Sequence, residues 1–210
     1  MKRKKLFAAL AVVAVLTVLA VCGGFLPRVV WGVPAMLGSA AAQYRLGNYW
    51  AFGEGVEHDC TAAARWWRKA AEQGDAGAQY ELGKCYRYGY GVNEDRREAV
   101  NWWRKAAEQG DAEAQCRLGV CYESGDGVEK YRGEAARWYR KAAEQGHAEA
   151  QCRLGHCYEN GEGVKKDMKE AVRLYRKAAE QGHADAQFFL GDCYENGEGV
   201  EKDMEGAVYW

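Results

Sequence analysis

Apolar residues along most of the chain recur at helical spacing. Ala78, Leu82, Cys85 and Tyr86 lie at i, i+4, i+7 and i+8, which predicts one buried stripe along a helix. A second stripe of the same kind runs through residues 99–107, and the YGYGV segment between them has glycines where the first helix must end. The pattern therefore predicts two helices joined by a short turn, and it lacks the alternation typical of strands.

This helix pair recurs at a fixed period of 36 residues. The segment AEQGDAGAQYELG begins at Ala71, and related segments begin at Ala107, Ala143 and Ala179. Self-similarity at such a period indicates stacked helical units. Residues 35–210 are therefore predicted to form an all-α solenoid of helix-turn-helix repeats, with about five units and the last one incomplete.

Polar residues stand where the predicted helices begin. Asp75 and Asp111 open first helices, whereas His147 and His183 occupy that position in later repeats and are expected to be solvated turn residues. Aspartate is a favoured N-cap because its carboxylate accepts bonds from the first free amides. The predicted N-caps of the second helices are Asp59, Asp95, Asp167 and Asp203.

Glycine recurs inside the first helices, at Gly83 and its equivalents in the Leu-Gly pairs. A glycine inside a helix costs roughly 1 kcal/mol relative to alanine, so its recurrence needs a reason. We expect a bulky ring from the second helix to lie against the glycine backbone. The candidate rings are Trp67, Trp103, Tyr139 and Tyr175.

The repeated pattern A-x-x-x-L-G-x-x-Y-x-x-G-x-G-V, followed by D-x-x-x-A-x-x-W-Y-x-K-A-A-x-x-G, resembles the Sel-1-like repeat family of tetratricopeptide-like helical proteins. Residues 150–182 carry it apart from Leu174 at the tryptophan position, and residues 40–210 follow it in register. Trp50 and Tyr131 depart from it. The resemblance implies a right-handed superhelix whose concave groove binds proteins or peptides, and it does not imply an enzyme.

The first 34 residues follow a different pattern. A cationic cluster at 2–5 precedes 21 uncharged residues, Leu6–Leu26, which is long enough for a helix to cross a hydrocarbon core of about 30 Å. Residues 1–34 are predicted to be a signal-anchor transmembrane segment or a cleaved signal peptide, and lipidation of Cys22 is a third alternative. In each case residues 35–210 are exported, either anchored and facing the periplasm or extracytoplasmic side, or secreted.

Charge bears on the class of partner. Five of the 29 basic residues and none of the 30 acidic residues lie within 1–34, so the remainder is acidic by six charges. An acidic surface argues against nucleic acid as the main partner. The RWWRK segment at 65–69 mixes rings and cations, as a single-strand platform would, but its fixed place in the repeat favours a packing role.

The CRLGHC segment at 152–157 suggests a metal or redox site. Cys157, however, lies at the repeat position of Cys85, on the buried stripe, and Phe188 occupies the position of Cys152 in the last repeat. A metal ligand would not be interchangeable with phenylalanine. We therefore predict no metal and no cofactor, and we expect the seven thiols of residues 35–210 to be free and buried.

Positions that differ between repeats are free of the shared packing, and on the first helices they are expected to face the groove. Solvent-exposed drift is the alternative, although exposed aromatic residues favour binding. The predicted partner-binding residues are Tyr44, Arg45, Tyr80, Lys84, Arg87, Tyr88, Arg117, Arg153, His156, Phe188, Phe189 and Asp192.

These observations favour an exported or membrane-tethered adaptor that binds an unidentified protein or peptide. One alternative is a structural envelope protein that self-assembles through the apolar edge at Tyr209 and Trp210, where the last helix is expected to be short and to fray. The other is a cell-envelope hydrolase. No Ser-His-Asp or Cys-His-Asn set can be placed outside the repeated positions, so we predict that the chain is not an enzyme.

Overall fold

The structure, a computed structural model, describes residues 34–53 and 57–210. These ranges contain helices and no strand. In chain order the helices are α1 (Ala40–Phe52), α2 (Cys60–Glu72), α3 (Ala76–Tyr88), α4 (Arg96–Glu108), α5 (Ala112–Ser124), α6 (Arg132–Glu144), α7 (Ala148–Asn160), α8 (Met168–Glu180), α9 (Ala184–Asn196) and α10 (Met204–Tyr209).

The predicted N-terminal segment at 1–34 lies, except for Pro34, outside the described residues. Among the helices of the two described ranges, none has both the length and the apolar character needed to cross a membrane. The signal or anchor therefore stays a prediction from sequence.

The chain divides into two compact units, Met1–Glu94 and Asp95–Trp210, here called unit 1 and unit 2. Unit 1 contains α1 to α3, and unit 2 contains α4 to α10. Within each unit, every helix packs against the helices that precede and follow it in the chain. The predicted all-α repeat architecture is confirmed, and α1 to α9 are each 13 residues long.

The predicted aspartate N-caps are confirmed. The Asp59 carboxylate, for example, accepts a hydrogen bond of 2.9 Å from the amide of Ala62. The expectation for His147 and His183 was wrong: each caps its helix through the ring. The Nδ1 atom of His147 accepts from the amide of Ala150 at 3.1 Å, so this half-buried histidine takes the role that aspartate has in earlier repeats. At the start of α6, Tyr131 supplies no side-chain cap.

The predicted close approach of a ring to the Leu-Gly glycine is also confirmed. A Cβ atom added to Gly155 would lie 2.7 Å from Cε1 of Tyr175, a distance that atoms in van der Waals contact do not reach. Gly119 meets Tyr139 in the same way. Both tyrosines are fully buried, so only glycine lets the two helices of a repeat approach this closely.

A buried glutamine, which the sequence analysis missed, links successive helices. Nε2 of Gln151 donates to the carbonyl of Ala143 at 3.2 Å, and its Oε1 accepts from Gln181 at 2.7 Å. The Ala143 carbonyl, in the last turn of α6, also accepts from the backbone amide of Gly146 at 3.0 Å. The glutamine thus adds a second hydrogen bond at this helix end and joins α7 to α6.

In the repeats after the first, the second glycine of the turn packs tightly against a backbone carbonyl. Gly163 has a φ of 71°, and a Cβ atom placed there would overlap the carbonyl group of Arg132 at the start of α6. Gly146 also has a positive φ, 90°, but an added Cβ atom would meet nothing within 4 Å. Substitutions at these two positions of unit 2 therefore distinguish the cost of backbone strain from the cost of a steric clash.

We predict that Gly163→Ala destabilises the chain more than Gly146→Ala. Both substitutions force alanine into left-handed backbone, at a cost of about 1–2 kcal/mol. Only Gly163→Ala also pushes against the Arg132 carbonyl, which adds roughly 1–3 kcal/mol. Urea unfolding followed by circular dichroism measures both. Equal losses in free energy of unfolding would show that the close approach to α6 has no energetic role.

Candidate functional site

The first helices of unit 2 present a row of polar side chains on one side. On α7 the row contains Glu149, Cys152, Arg153 and His156, at i, i+3, i+4 and i+7, so the four share one face of the helix. Corresponding positions on α5 and α9 continue the row. We call this surface the first-helix face of unit 2; its residues are Glu113, Arg117, Glu123, Glu149, Cys152, Arg153, His156, Glu159, Asp185, Phe188, Phe189, Asp192 and Glu195.

A cavity of about 410 Å³ opens on this face. This volume lies within the range of about 300–1,000 Å³ that is typical of small ligand sites. The cavity combines carboxylates, one arginine, two imidazoles and one aromatic ring. Its lining residues are Glu123, Glu149, Cys152, Arg153, His156, His183, Asp185 and Phe189.

Arg153 is the centre of an ion-pair network in this cavity. Its Nε atom lies 3.0 Å from Glu149, and its Nη1 atom lies 3.2 Å from Glu123 on α5. Arg117 approaches the second oxygen of Glu149 at 3.6 Å. The guanidinium is thus held between two helices, which fixes its position more firmly than a single surface pair would.

The network shifts the pKa values of its members. Burial by itself would lower the pKa of Arg153, but the hydrogen bond to Glu149 and the charges of Glu149 and Glu123 hold it above its ordinary value. Burial would likewise raise the pKa of Glu149, whereas the hydrogen bond from Arg153 and the charge of Arg117 keep it below its ordinary value. Both groups are therefore charged at neutral pH.

Two carboxylates of the first-helix face accept hydrogen bonds from buried tyrosines of the second helices. The hydroxyl of Tyr139 donates to Glu123 at 2.8 Å, and the hydroxyl of Tyr175 donates to Glu159 at 2.6 Å. Burial, together with the neighbouring carboxylate, raises the pKa of both tyrosines above the ordinary value. Each tyrosine therefore stays a neutral donor, and the glutamate keeps its position.

Phe189 forms an aromatic wall of the cavity. Its ring centroid lies 5.3 Å from that of Tyr175, 5.7 Å from that of Phe188 and 6.2 Å from that of His156. Phe189 is half-buried, and Phe188 is exposed over 71% of its surface. Such amphipathic surroundings suit a side chain that is partly apolar and partly charged.

The structure brings together four of the predicted site residues in unit 2: Arg117 and Arg153 are joined through Glu149, and His156 and Phe189 line the cavity. Phe188 lies exposed beside Phe189. Asp192 is exposed on α9, where its carboxylate accepts a hydrogen bond from Asn196 at 2.9 Å.

The other six predicted residues lie in unit 1. Lys84 pairs with Glu81 at 2.8 Å, and its Nζ atom lies 5.1 Å from the ring centre of Tyr80. Arg87 lies over the ring of Tyr88, which is exposed. Tyr44 is half-buried and Arg45 is exposed on α1.

Several residues of the cavity are not among the predicted site residues. Glu123 and Asp185 occupy positions that vary between repeats, and Glu149 stands four residues before Arg153, a spacing typical of helical ion pairs. That spacing could have identified Glu149. The bond between Glu123 and Arg153 joins residues 30 apart in sequence, so it had no comparable local signal.

The cysteines of CRLGHC have different surroundings but similar chemistry. Cys157 belongs to the core, as predicted, whereas Cys152 lines the cavity although only 5% of its surface is exposed. Burial raises the pKa of Cys157 to about 12 and that of Cys152 to about 11, with the charges of nearby carboxylates acting in the same direction. A thiol that stays protonated is a poor nucleophile. Cys60, in contrast, is only half-buried, which corrects the expectation that all seven thiols are buried.

The aromatic residues of the RWWRK-like segments take part in packing. Trp102 and Trp138 are buried, and the ammonium groups of Lys105 and Lys141 lie 3.8 Å and 3.9 Å from their ring centres. In the part of the chain that the structure describes, no group of three or more His, Cys, Asp and Glu side chains is arranged to hold a metal ion.

Comparisons with known proteins agree with this geometry. The Sel1 repeat matches five consecutive segments, residues 40–75, 76–111, 112–147, 148–183 and 184–210. A search of curated proteins gave no match.

Among solved structures, the chain is similar to a Sel1 repeat protein from Oxalobacter formigenes, with 44% identity and a TM-score of 0.78 over 82% of this chain and 69% of the other. It is also similar to c5321, a protective antigen of uropathogenic Escherichia coli with an SLR fold, with 39% identity and a TM-score of 0.82 over 85% of this chain and 38% of the other. The immunity protein Pa5087 from Pseudomonas aeruginosa, at 24% identity and a TM-score of 0.50 over 97% of this chain and 75% of the other, shares the fold alone.

We predict that Cys152 reacts with iodoacetamide far more slowly than Cys60 in the native chain at about pH 8. The rise in the pKa of Cys152 from 9.0 to about 11 lowers its thiolate fraction about a hundredfold, and burial restricts access further. Mass spectrometry of tryptic peptides gives the labelling rate at each site.

The same reaction in about 8 M urea, where the chain is unfolded, is the control, because both thiols should then react at similar rates. Native labelling of Cys152 as fast as that of Cys60 would mean that the cavity exposes a reactive thiol.

Proposed function

Because the chain belongs to the Sel1 repeat family, whose members are helical-repeat scaffolds for protein interaction, we propose that it is an adaptor that binds a protein or peptide through the first-helix face of unit 2. The observation that carries this proposal is the cavity of about 410 Å³, whose arginine and two glutamates, Glu123 and Glu149, are held in place by partners on α5, α6 and α7. Polar groups fixed before binding reduce the ordering cost of association.

The cavity favours recognition over catalysis. Its one thiol, Cys152, is buried and protonated, and its arginine and two glutamates are engaged with one another. Its two imidazoles also have partners within the chain: Nδ1 of His183 accepts from the amide of Ala186 at 3.3 Å, and Nε2 of His156 lies 3.2 Å from Nδ2 of Asn160. We therefore propose that the chain is a scaffold and not an enzyme.

The N-terminal sequence supports a location outside the cytoplasm. The cationic cluster followed by Leu6–Leu26 is typical of segments that leave the basic end inside and export the rest of the chain. We propose that the repeats act on the extracytoplasmic side of a membrane, tethered to it or released from it.

We predict that a bulky residue in the cavity blocks partner binding. Peptides selected from a display library against the full chain, held in non-ionic detergent because of its apolar N-terminal segment, should lose at least about tenfold in affinity for His156→Trp, since the indole would fill the cavity. His156 is exposed, so the fold should tolerate the change. Fluorescence anisotropy gives the affinities.

Arg137→Trp is the matched control, because Arg137 is exposed on α6, a second helix, away from the cavity. Peptides that bind His156→Trp as well as the unaltered chain, or that lose affinity only for Arg137→Trp, would refute binding at the first-helix face of unit 2.

A second prediction concerns export. A β-lactamase domain fused after Trp210 should make a Gram-negative host resistant to ampicillin, because the enzyme protects the cell only from outside the cytoplasm. The same fusion without residues 1–33 should leave the host sensitive. Resistance is read as colony growth, and immunoblots confirm equal expression. Sensitivity of both strains at equal expression would contradict export.

A further inference from the structure

Arg153 shows how one repeat of unit 2 neutralises its own carboxylates. The guanidinium bridges Glu149, one turn earlier on the same helix, and Glu123, which lies on the preceding first helix. It therefore fills a place defined by two carboxylates, one from each of two neighbouring first helices.

The next repeat keeps both carboxylates but lacks the arginine. In register, Asp185 corresponds to Glu149 and Glu159 corresponds to Glu123, whereas Phe189 stands where Arg153 would be. Asp185 is exposed, and neither it nor Glu159 makes an ion pair with any residue in 34–53 or 57–210; Glu159 accepts only the hydroxyl of Tyr175. The place that arginine takes in the preceding repeat thus holds the ring of Phe189 and no cation of the described residues.

The surroundings of Phe189 suit a cation. Its ring is part of the cavity wall, next to Asp185, and a cation over the face of an aromatic ring is attracted by the ring quadrupole. The ring also replaces the apolar stem that an arginine would lay against the helix. A lysine or arginine side chain entering from outside would therefore find both a carboxylate and an aromatic surface.

The net charge of the first-helix face of unit 2 also favours a partner with lysine or arginine side chains. The second, sixth, ninth and twelfth positions of α5, α7 and α9 together hold seven carboxylates and only two arginines. At these positions of α1 and α3, in unit 1, Arg45, Lys84 and Arg87 accompany a single carboxylate, Glu81. The acidic excess thus belongs to unit 2 and would steer a basic segment to it.

We propose that the partner inserts a lysine or arginine side chain at Phe189, between Asp185 and Glu159, in the place that Arg153 occupies one repeat earlier. This inference rests on the proposed function, because it specifies the chemistry of the protein or peptide that the first-helix face of unit 2 binds. The bound partner would thus supply, at Phe189, the cation that Arg153 supplies one repeat earlier.

The test compares fluorescein-labelled hexaarginine with its neutral isostere hexacitrulline, by anisotropy on the full chain in non-ionic detergent. Hexaarginine should bind at least about tenfold more tightly. Asp185→Asn and Glu159→Gln should each weaken it about three- to tenfold, and the amide oxygen that Glu159→Gln introduces can still accept the hydroxyl of Tyr175. Glu201→Gln, which changes an exposed carboxylate in the turn between α9 and α10, outside the first-helix face of unit 2, is the control and should change the affinity by less than about twofold.

Phe189→Arg provides an independent check, because it supplies the missing arginine within the chain. It should weaken hexaarginine binding at least about tenfold, while thermal unfolding stays cooperative. Equal binding of hexacitrulline, or equal effects of Asp185→Asn and Glu201→Gln, would overturn the inference.

Failure of this inference is distinguishable from failure of the proposed function. Display-selected peptides that are blocked by His156→Trp but unaffected by Asp185→Asn would leave the binding face in place and remove the cationic anchor. Selected peptides whose affinity is unchanged by His156→Trp would refute binding at the first-helix face of unit 2.

Discussion

The contact between a glycine backbone and a buried ring sets the spacing of the two helices in the repeats at 112–147 and 148–183. In unit 2, Tyr139 lies against Gly119 and Tyr175 against Gly155. The hydroxyls of these buried rings reach the first-helix face of unit 2, where they donate hydrogen bonds to Glu123 and Glu159. The same side chain therefore packs the interior and positions the charged groups that a partner would meet.

This arrangement separates two kinds of position in the repeat. Those that repeat without change, such as the Leu-Gly pair, maintain the distance between helices. Those that vary carry the charge and the aromatic surface of the face, so that Arg153 in one repeat becomes Phe189 in the next without altering the fold. A solenoid can accordingly change what it recognises by substitutions at a few surface positions while its stability comes from elsewhere.

Sequence was sufficient for features that are local or that recur. The aspartate caps and the approach of Tyr175 to Gly155 were predictable because helical spacing and the 36-residue period both constrain them. The cap formed by His147 was missed, since histidine was considered as a solvated polar residue and not as an acceptor at Nδ1. The pair of Arg153 with Glu123 was missed because it depends on the distance between two helices that sequence spacing does not give. The grouping of varied positions on one face was recognisable, but which charges neutralise one another was not.

The buried glutamines have a mechanical consequence. Gln151 bonds at once to the end of α6, in the preceding repeat, and to Gln181, at the end of its own second helix. Separating α7 from the preceding repeat would break the hydrogen bond from Gln151 to the Ala143 carbonyl, at a net cost of about 0.5–1.5 kcal/mol, because water replaces the lost partner. Neighbouring repeats of unit 2 are thus joined by hydrogen bonds. If the chain were stretched, we expect unit 2 to unfold in cooperative steps larger than one helix pair.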